Sequence, residues 1–258
     1  MKESRRLINS LVACGIALAM VSTLAAQTVQ GSAKVVRIKG SARYNTGAGW
    51  QPVRLGAVFN PGTTIQTAKD SFVDLALGEG GTPTITPSSE GHISYQPSAD
   101  QNMVRIKSDS AMAIDKLTST QTGADVVTET QLDLQRGRIL GSVRKMSAAS
   151  KYEVKIPNGV AGIRGTIYQI SVDGVLDVLE GSVVLAYVGP DGTVVTQVVV
   201  GGQEFDARTG QIKPIPPELK SALEIEAKNL LYVAIMTPTI YTVNKTLYYV
   251  SPIQGKGG

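Results

Sequence analysis

Cysteine, histidine and tryptophan each occur once among the 258 residues, and phenylalanine three times. The cysteine, Cys14, sits in an apolar stretch that reads as an export leader, so the mature chain would carry none. That excludes disulfides, zinc thiolates and cysteine nucleophiles. A single histidine, His92, excludes any site built on two imidazoles; it lies among Ser88, Ser89, Gly91 and Ser94, where a solvated loop side chain is expected. Charge of one sign is also scarce. The formal net charge is +4, and residues 1–26 hold Lys2, Arg5 and Arg6 against Glu3, which leaves +2 for the remainder. No basic stripe survives that subtraction, so the electrostatic footprint of nucleic-acid binding is missing.

Long apolar runs are confined to the amino terminus. Met1 to Arg6 is basic, Leu11 to Leu24 is apolar, and Ala25-Ala26 supplies small residues before Gln27, the three-part pattern of a secretory signal peptide. A lipoprotein-like reading of Leu11-Val12-Ala13-Cys14 and retention as an anchor are the alternatives. The run falls short of the ~20 residues of a transmembrane helix, and no other segment is suited to span a bilayer, which predicts a mature chain without one. The predicted location is the periplasm or the cell surface.

What the chain does have is β text. In Phe72–Leu77 the residues Val73, Leu75 and Leu77 fall on one face, and Asn60-Pro61-Gly62 and Gly78-Glu79-Gly80-Gly81 read as turns. From Tyr152 to Phe205 strands follow one another with breaks at Asp173-Gly174, Glu180-Gly181 and Pro190-Asp191-Gly192. Residues 27–87 form a first β half, 88–130 a polar excursion, and 131–215 a second β half. A helix is predicted over 216–236, opened by Pro216-Pro217-Glu218 and striped by Leu219, Leu223, Ala227, Leu230 and Ala234, a face expected to pack on its own domain. Residues 237–258 make a tail containing Tyr241, Tyr248 and Tyr249. The predicted class is all-β, a twisted β-solenoid or a β-sandwich of short strands in two halves with one C-terminal amphipathic helix.

The stretch from Tyr152 through Asn158-Gly159-Val160-Ala161-Gly162-Ile163-Arg164-Gly165-Thr166, then Leu179-Glu180-Gly181-Ser182 and Val200-Gly201-Gly202-Gln203, resembles the FecR-type domain family. Leu55-Gly56, Thr64-Ile65-Gln66-Thr67 and Val73-Asp74-Leu75 match its first half, so the resemblance runs from about Val35 to Phe205. It implies an all-β, solenoid-like domain, periplasmic in founding members, where it couples an outer-membrane siderophore receptor to a cytoplasmic sigma factor. Only a short segment, the six residues Met1 to Arg6 and four more, precedes the apolar run, and no internal membrane helix is read after it, so the resemblance points to a stand-alone exported relative.

Read as chemistry, Gly159, Gly162, Gly165 and Gly181 suit tight corners, and Arg164 suits binding of turn carbonyls or pairing with Glu180, with Thr166 beside it. A backbone cradle for an anion is the weaker alternative, since the lysine and spacing of a phosphate loop are absent. Asp125, Glu129 and Asp133 recur every four residues, but on β text, and are read as solvated. No catalytic, metal-ligating or cofactor-binding residue is predicted. Trp50, Tyr241, Tyr248 and Tyr249 are the candidate interaction surface. The expectation is a non-enzymatic domain that binds an envelope protein or itself; a sensor in surface signalling and a carbohydrate- or wall-binding module are the alternatives.

Overall fold

The computed structural model describes residues 28–78, 101–123, 125–189 and 191–236. The predicted leader with Cys14, His92, and the tail with Tyr241, Tyr248 and Tyr249 lie outside them. The strands are β1 (Thr28–Gln30), β2 (Ser32–Lys39), β3 (Ala42–Asn45), β4 (Trp50–Pro52), β5 (Val58–Phe59), β6 (Thr63–Thr67), β7 (Phe72–Gly78), β8 (Asn102–Ile106) and β9 (Ala111–Thr122). They continue with β10 (Asp125–Arg136), β11 (Arg138–Ser142), β12 (Lys151–Ile156), β13 (Gly159–Ser171), β14 (Val175–Val188), β15 (Val194–Val200), β16 (Gln203–Asp206) and β17 (Gln211–Pro214), and the last described element is helix α1 (Pro217–Met236).

The pairings sort these strands into two sheets. Sheet I runs β5-β2-β7-β8-β11 and then takes the second half of β13, the first half of β14, β16 and β17. Sheet II runs β4-β3-β6-β9-β10-β12 and then takes the first half of β13, the second half of β14 and β15, with β1 beside the far end of β9. The long β13–β14 hairpin belongs to both. Among the described residues neither sheet closes on itself: β4 and β5 each have one partner strand. This is the sandwich arrangement, and it is all-β with one C-terminal helix, as the sequence predicts.

Strand period explains the core. Val73, Leu75 and Leu77 of sheet I and Ile65, Met112, Ile114, Leu132 and Val154 of sheet II point inward and are buried in a single apolar cluster. Tyr168 and Tyr152 meet across it, hydroxyl to hydroxyl at 3.4 Å, and the Tyr168 ring occupies the space that a side chain at Gly141 would fill. Burial pushes the Tyr168 phenol well above its ordinary range.

Two expectations about organisation change. Residues 102–130, assigned to a polar excursion, supply β8, β9 and the start of β10, with Met112, Ile114 and Leu117 fully buried. Nor do the two β halves stay apart: β2 and β7 sit in one sheet with β11, β13 and β14. Helix α1 lies over the outer face of sheet I. Leu223, Ala227 and Leu230 pack there on Ala76, Met103, Leu140, Leu179 and Ile215, so the predicted stripe faces its own domain.

Candidate functional site

Where the β13–β14 hairpin passes from sheet I to sheet II, its register slips between Arg164 and Ile167, which leaves two residues, Gly165 and Thr166, opposite Gly181. That extra residue is a β-bulge, a device that bends a strand pair. Gly165 and Gly181 adopt φ of +61° and +82°, and a Cβ on Gly181 would lie 2.4 Å from the Gly165 carbonyl oxygen. The Thr166 hydroxyl donates to the carbonyls of Arg164 (3.0 Å) and Ser182 (2.9 Å), and its backbone exchanges two 2.9 Å bonds with Val143. In the turn just after β15, Gly201 donates to the Gly181 carbonyl at 2.9 Å. A glycine thus stands on β13, on β14 and just beyond the end of β15 along one crease.

The remaining signature residues are less constrained. Gly159 is needed for close approach, since a Cβ there would meet the Ala186 carbonyl oxygen at 2.5 Å, whereas Gly162 has ordinary space and no positive φ. Arg164 is exposed and donates to one carbonyl, that of Met146, at 3.1 Å; no ion pair joins it to Glu180 among the described residues. Arg164→Ala should therefore cost no more than ~1 kcal/mol, the worth of one solvent-facing hydrogen bond. A urea unfolding midpoint indistinguishable from wild type fits this; loss of the folded baseline would show that Arg164 holds the crease.

A second constellation was not anticipated. One residue from each of eight neighbouring strands of sheet I lines up under α1: Arg37, Asp74, Arg105, Leu140, Gln169, Asp177, Glu204 and Lys213 are successive cross-strand partners. Asp74 is fully buried and accepts from Arg37 Nε (2.6 Å) and, through both oxygens, from Arg105 Nε (2.7 Å) and Nη2 (3.0 Å). The Arg105 guanidinium also stacks 4.3 Å over Phe72. The helix is tied to this row. Glu226 accepts from Lys107 at 3.1 Å and lies 3.8 Å from Arg105, and Arg37 Nη2 reaches the Asn229 carbonyl at 3.0 Å. Lys107 in turn donates to Gln169 at 2.9 Å.

At the far end of the row two carboxyl groups are cross-strand neighbours. Asp177 receives a 3.0 Å bond from Gln169 Nε2, Glu204 pairs with Lys213 at 3.0 Å, and Asp177 Oδ1 has no hydrogen-bond partner among the described residues. Both line a pocket of about 240 Å³ between the sheet and Leu219 of α1, together with Arg138, Asp173 and Arg208. Burial, reinforced by the nearby Glu204, raises the Asp177 pKa above the ordinary carboxylate value. A raised folded pKa means that stability is present in full at low pH and is lost as pH rises from the unfolded value through the folded one. Asp177→Asn should therefore raise the thermal midpoint by a few degrees at pH 7, with the gain closing at acid pH. A lowered midpoint at pH 7 would show instead that the ionised form is held.

A third feature is apolar and exposed. On the outer face of sheet II, Val160, Val184, Val188, Val194, Val198 and Val200 lie on the adjoining strands β13, β14 and β15, and Val194 is 75% exposed. Trp50 is at the opposite edge of the same sheet, on β4, with the Arg43 guanidinium 4.6 Å above its ring. The structure therefore does not bring Trp50 to the valines. Asp125, Glu129 and Asp133 are spread along β10; Glu129 pairs with Lys116 at 2.6 Å. No cluster of three metal-ligating side chains occurs among the described residues, and no helix among them is long and apolar enough to cross a membrane.

No curated protein matches the sequence. Among solved structures, a candidate anti-sigma factor from Parabacteroides distasonis ATCC 8503, at 1.65 Å resolution, is similar at 11% identity with a TM-score of 0.37. The match covers 59% of this chain and 58% of that one. A second structure described in the same words, at 2.50 Å, matches at 11% identity and a TM-score of 0.32, covering 56% and 59%. Each likeness spans less than two thirds of either chain. Residues 63–184, from β6 across the crease to the middle of β14, match the model of the FecR protein family.

Proposed function

We propose that the protein is a non-enzymatic, exported interaction module of the cell envelope, acting by binding another protein surface. The observation that carries this reading is the valine face of β13–β15. Apolar residues exposed side by side on adjoining strands, as opposed to scattered singly, mark interaction sites. Its neighbours on β14 and β15 carry no charge from Gly181 to Val188 or from Gly192 to Gln203, so recognition there rests on apolar contact and backbone pairing.

A photocrosslinking residue at Val184 or Val198 in cells should trap an envelope protein, while the same residue at Ile225, exposed on α1, should trap little. No adduct from the valine face, or turnover of an envelope polysaccharide by the purified protein, would overturn the proposal. A second reading, a regulator in a surface-signalling pathway, is favoured by the FecR-family match. Gene deletion should then change transcription in iron-poor or iron-rich medium; unchanged transcription in both counts against it.

A further inference from the structure

The valine face ends at a sheet edge built unlike a protected one. β15 pairs with β14 alone, and its other edge has no strand partner among the described residues. Natural edges are blunted by lysines, prolines, bulges or a covering element. From Gly192 to Gln203 this chain has no charge and no proline. Two glutamine side chains occupy the edge instead: Gln203 Oε1 accepts from the Val200 amide at 3.1 Å, and Gln197 Nε2 donates to the Val198 carbonyl at 2.9 Å. These bonds show which backbone groups face outward. They belong to the even-numbered residues, Val194, Thr196, Val198 and Val200, while the odd ones face β14.

We infer that β15 pairs antiparallel with β15 of a second copy of this chain, about a two-fold axis at Gln197. The inference rests on the interaction reading above and names the partner. Val194-Val195-Thr196-Gln197-Val198-Val199-Val200 reads nearly alike in both directions from its centre. An antiparallel pair about Gln197 sets Val194 against Val200, Val195 against Val199 and Thr196 against Val198. Every even residue then meets an even one, so the outward N–H and C=O groups of both copies bond to each other. A shift of the axis by half a residue would match bonding groups to non-bonding ones.

The same axis, perpendicular to the sheet, puts both outer faces on one side and joins the two valine patches across the contact. The strand is uncharged, so no like charges oppose across the axis. An isologous contact of this kind closes on itself and consumes the free edge, which gives dimers and not filaments. Strand pairing over seven residues is about 23 Å long, and with the valines it falls below the ~1,200–2,000 Å² of a stable interface. The dimer is therefore weak and depends on concentration.

Three variants of the full chain test this, in a Cys14→Ser background where cysteines are added. Residues directly opposite in a non-hydrogen-bonded pair have Cα atoms about 4.5 Å apart, within the roughly 4.4–6.8 Å that a disulfide spans. Gln197→Cys should give a covalent dimer on mild oxidation, while Val195→Cys, which faces Val199 of the other copy, should not. Thr196→Pro removes an amide that faces the free edge and not β14, so folding by circular dichroism should be kept. Its dimerisation by sedimentation equilibrium should weaken at least tenfold. A protein that is monomeric at every concentration, or equal crosslinking at positions 195 and 197, overturns the pairing. If such a monomer still crosslinks another envelope protein through Val184, the interaction reading survives; if it crosslinks nothing, both fail.

Discussion

Asp74→Ala should lower the thermal midpoint by roughly 10 °C, from a loss of ~3–5 kcal/mol at about 2–4 °C per kcal/mol for a chain of this size. Asp74 is fully buried and is the shared acceptor of Arg37 and Arg105, whose side chain is 7% exposed. Removing the carboxylate leaves a guanidinium out of water with no strong partner, which costs far more than the pair itself contributes. The contrast with a double change makes the cause visible. Asp74→Leu combined with Arg105→Met removes both charges and should recover most of the lost stability. If Asp74→Ala shifts the midpoint by less than about 3 °C, Arg105 has turned to Glu226, 3.8 Å away, and the helix carries the charge balance instead.

Gly181→Ala should be nearly as damaging, at ~3 kcal/mol or more, because a left-handed backbone position and a backbone clash act together. The substituted Cβ would lie 2.4 Å from the Gly165 carbonyl oxygen, an atom fixed by the bulge. Gly192 supplies the control. Its φ of +81° matches the +82° of Gly181, but nothing lies within 4 Å of a Cβ there. Gly192→Ala should therefore cost only ~1 kcal/mol, the conformational part alone. Chemical denaturation of the two variants side by side separates the terms. Equal losses would mean that the crease yields to a methyl group and that the clash carries no weight.

How far the sequence revealed this molecule depends on the range of the interaction. The alternation of Val73, Leu75 and Leu77 and the helical stripe of Leu219, Leu223, Ala227 and Leu230 are local, and each faces where its period says. β9 was hidden by its own composition. Beyond Leu117 it reads Thr-Ser-Thr-Gln-Thr, and the slip in its pairing with β10, between Gln131 and Leu132, shifts the apolar phase between Ile114 and Leu117. The Gly-Ile-Arg-Gly-Thr and Glu-Gly signature was legible as a corner, although the weight falls on Gly165, Thr166 and Gly181 and not on Arg164. The polar row under α1 was not legible at all. It takes a single residue from each strand, and only the pairing register brings Asp74 beside Arg105, or Asp177 beside Glu204.

Helix α1 comes late in the chain yet rests on β2, near its beginning: Arg37 and Asn229 are bonded across 192 residues. Sequence order and contact order therefore conflict. As the chain is made from its amino end, sheet I can pair before the helix exists, with Met103, Leu140 and the Asp74–Arg105 pair still facing solvent. Long-range pairings of this kind fold in milliseconds to seconds, not microseconds, and bare apolar strands invite association meanwhile. The arrival of residues 217–236 then covers that face, and a chain stopped after Pro214 would leave Ala76, Met103 and Leu140 without the helix that buries them.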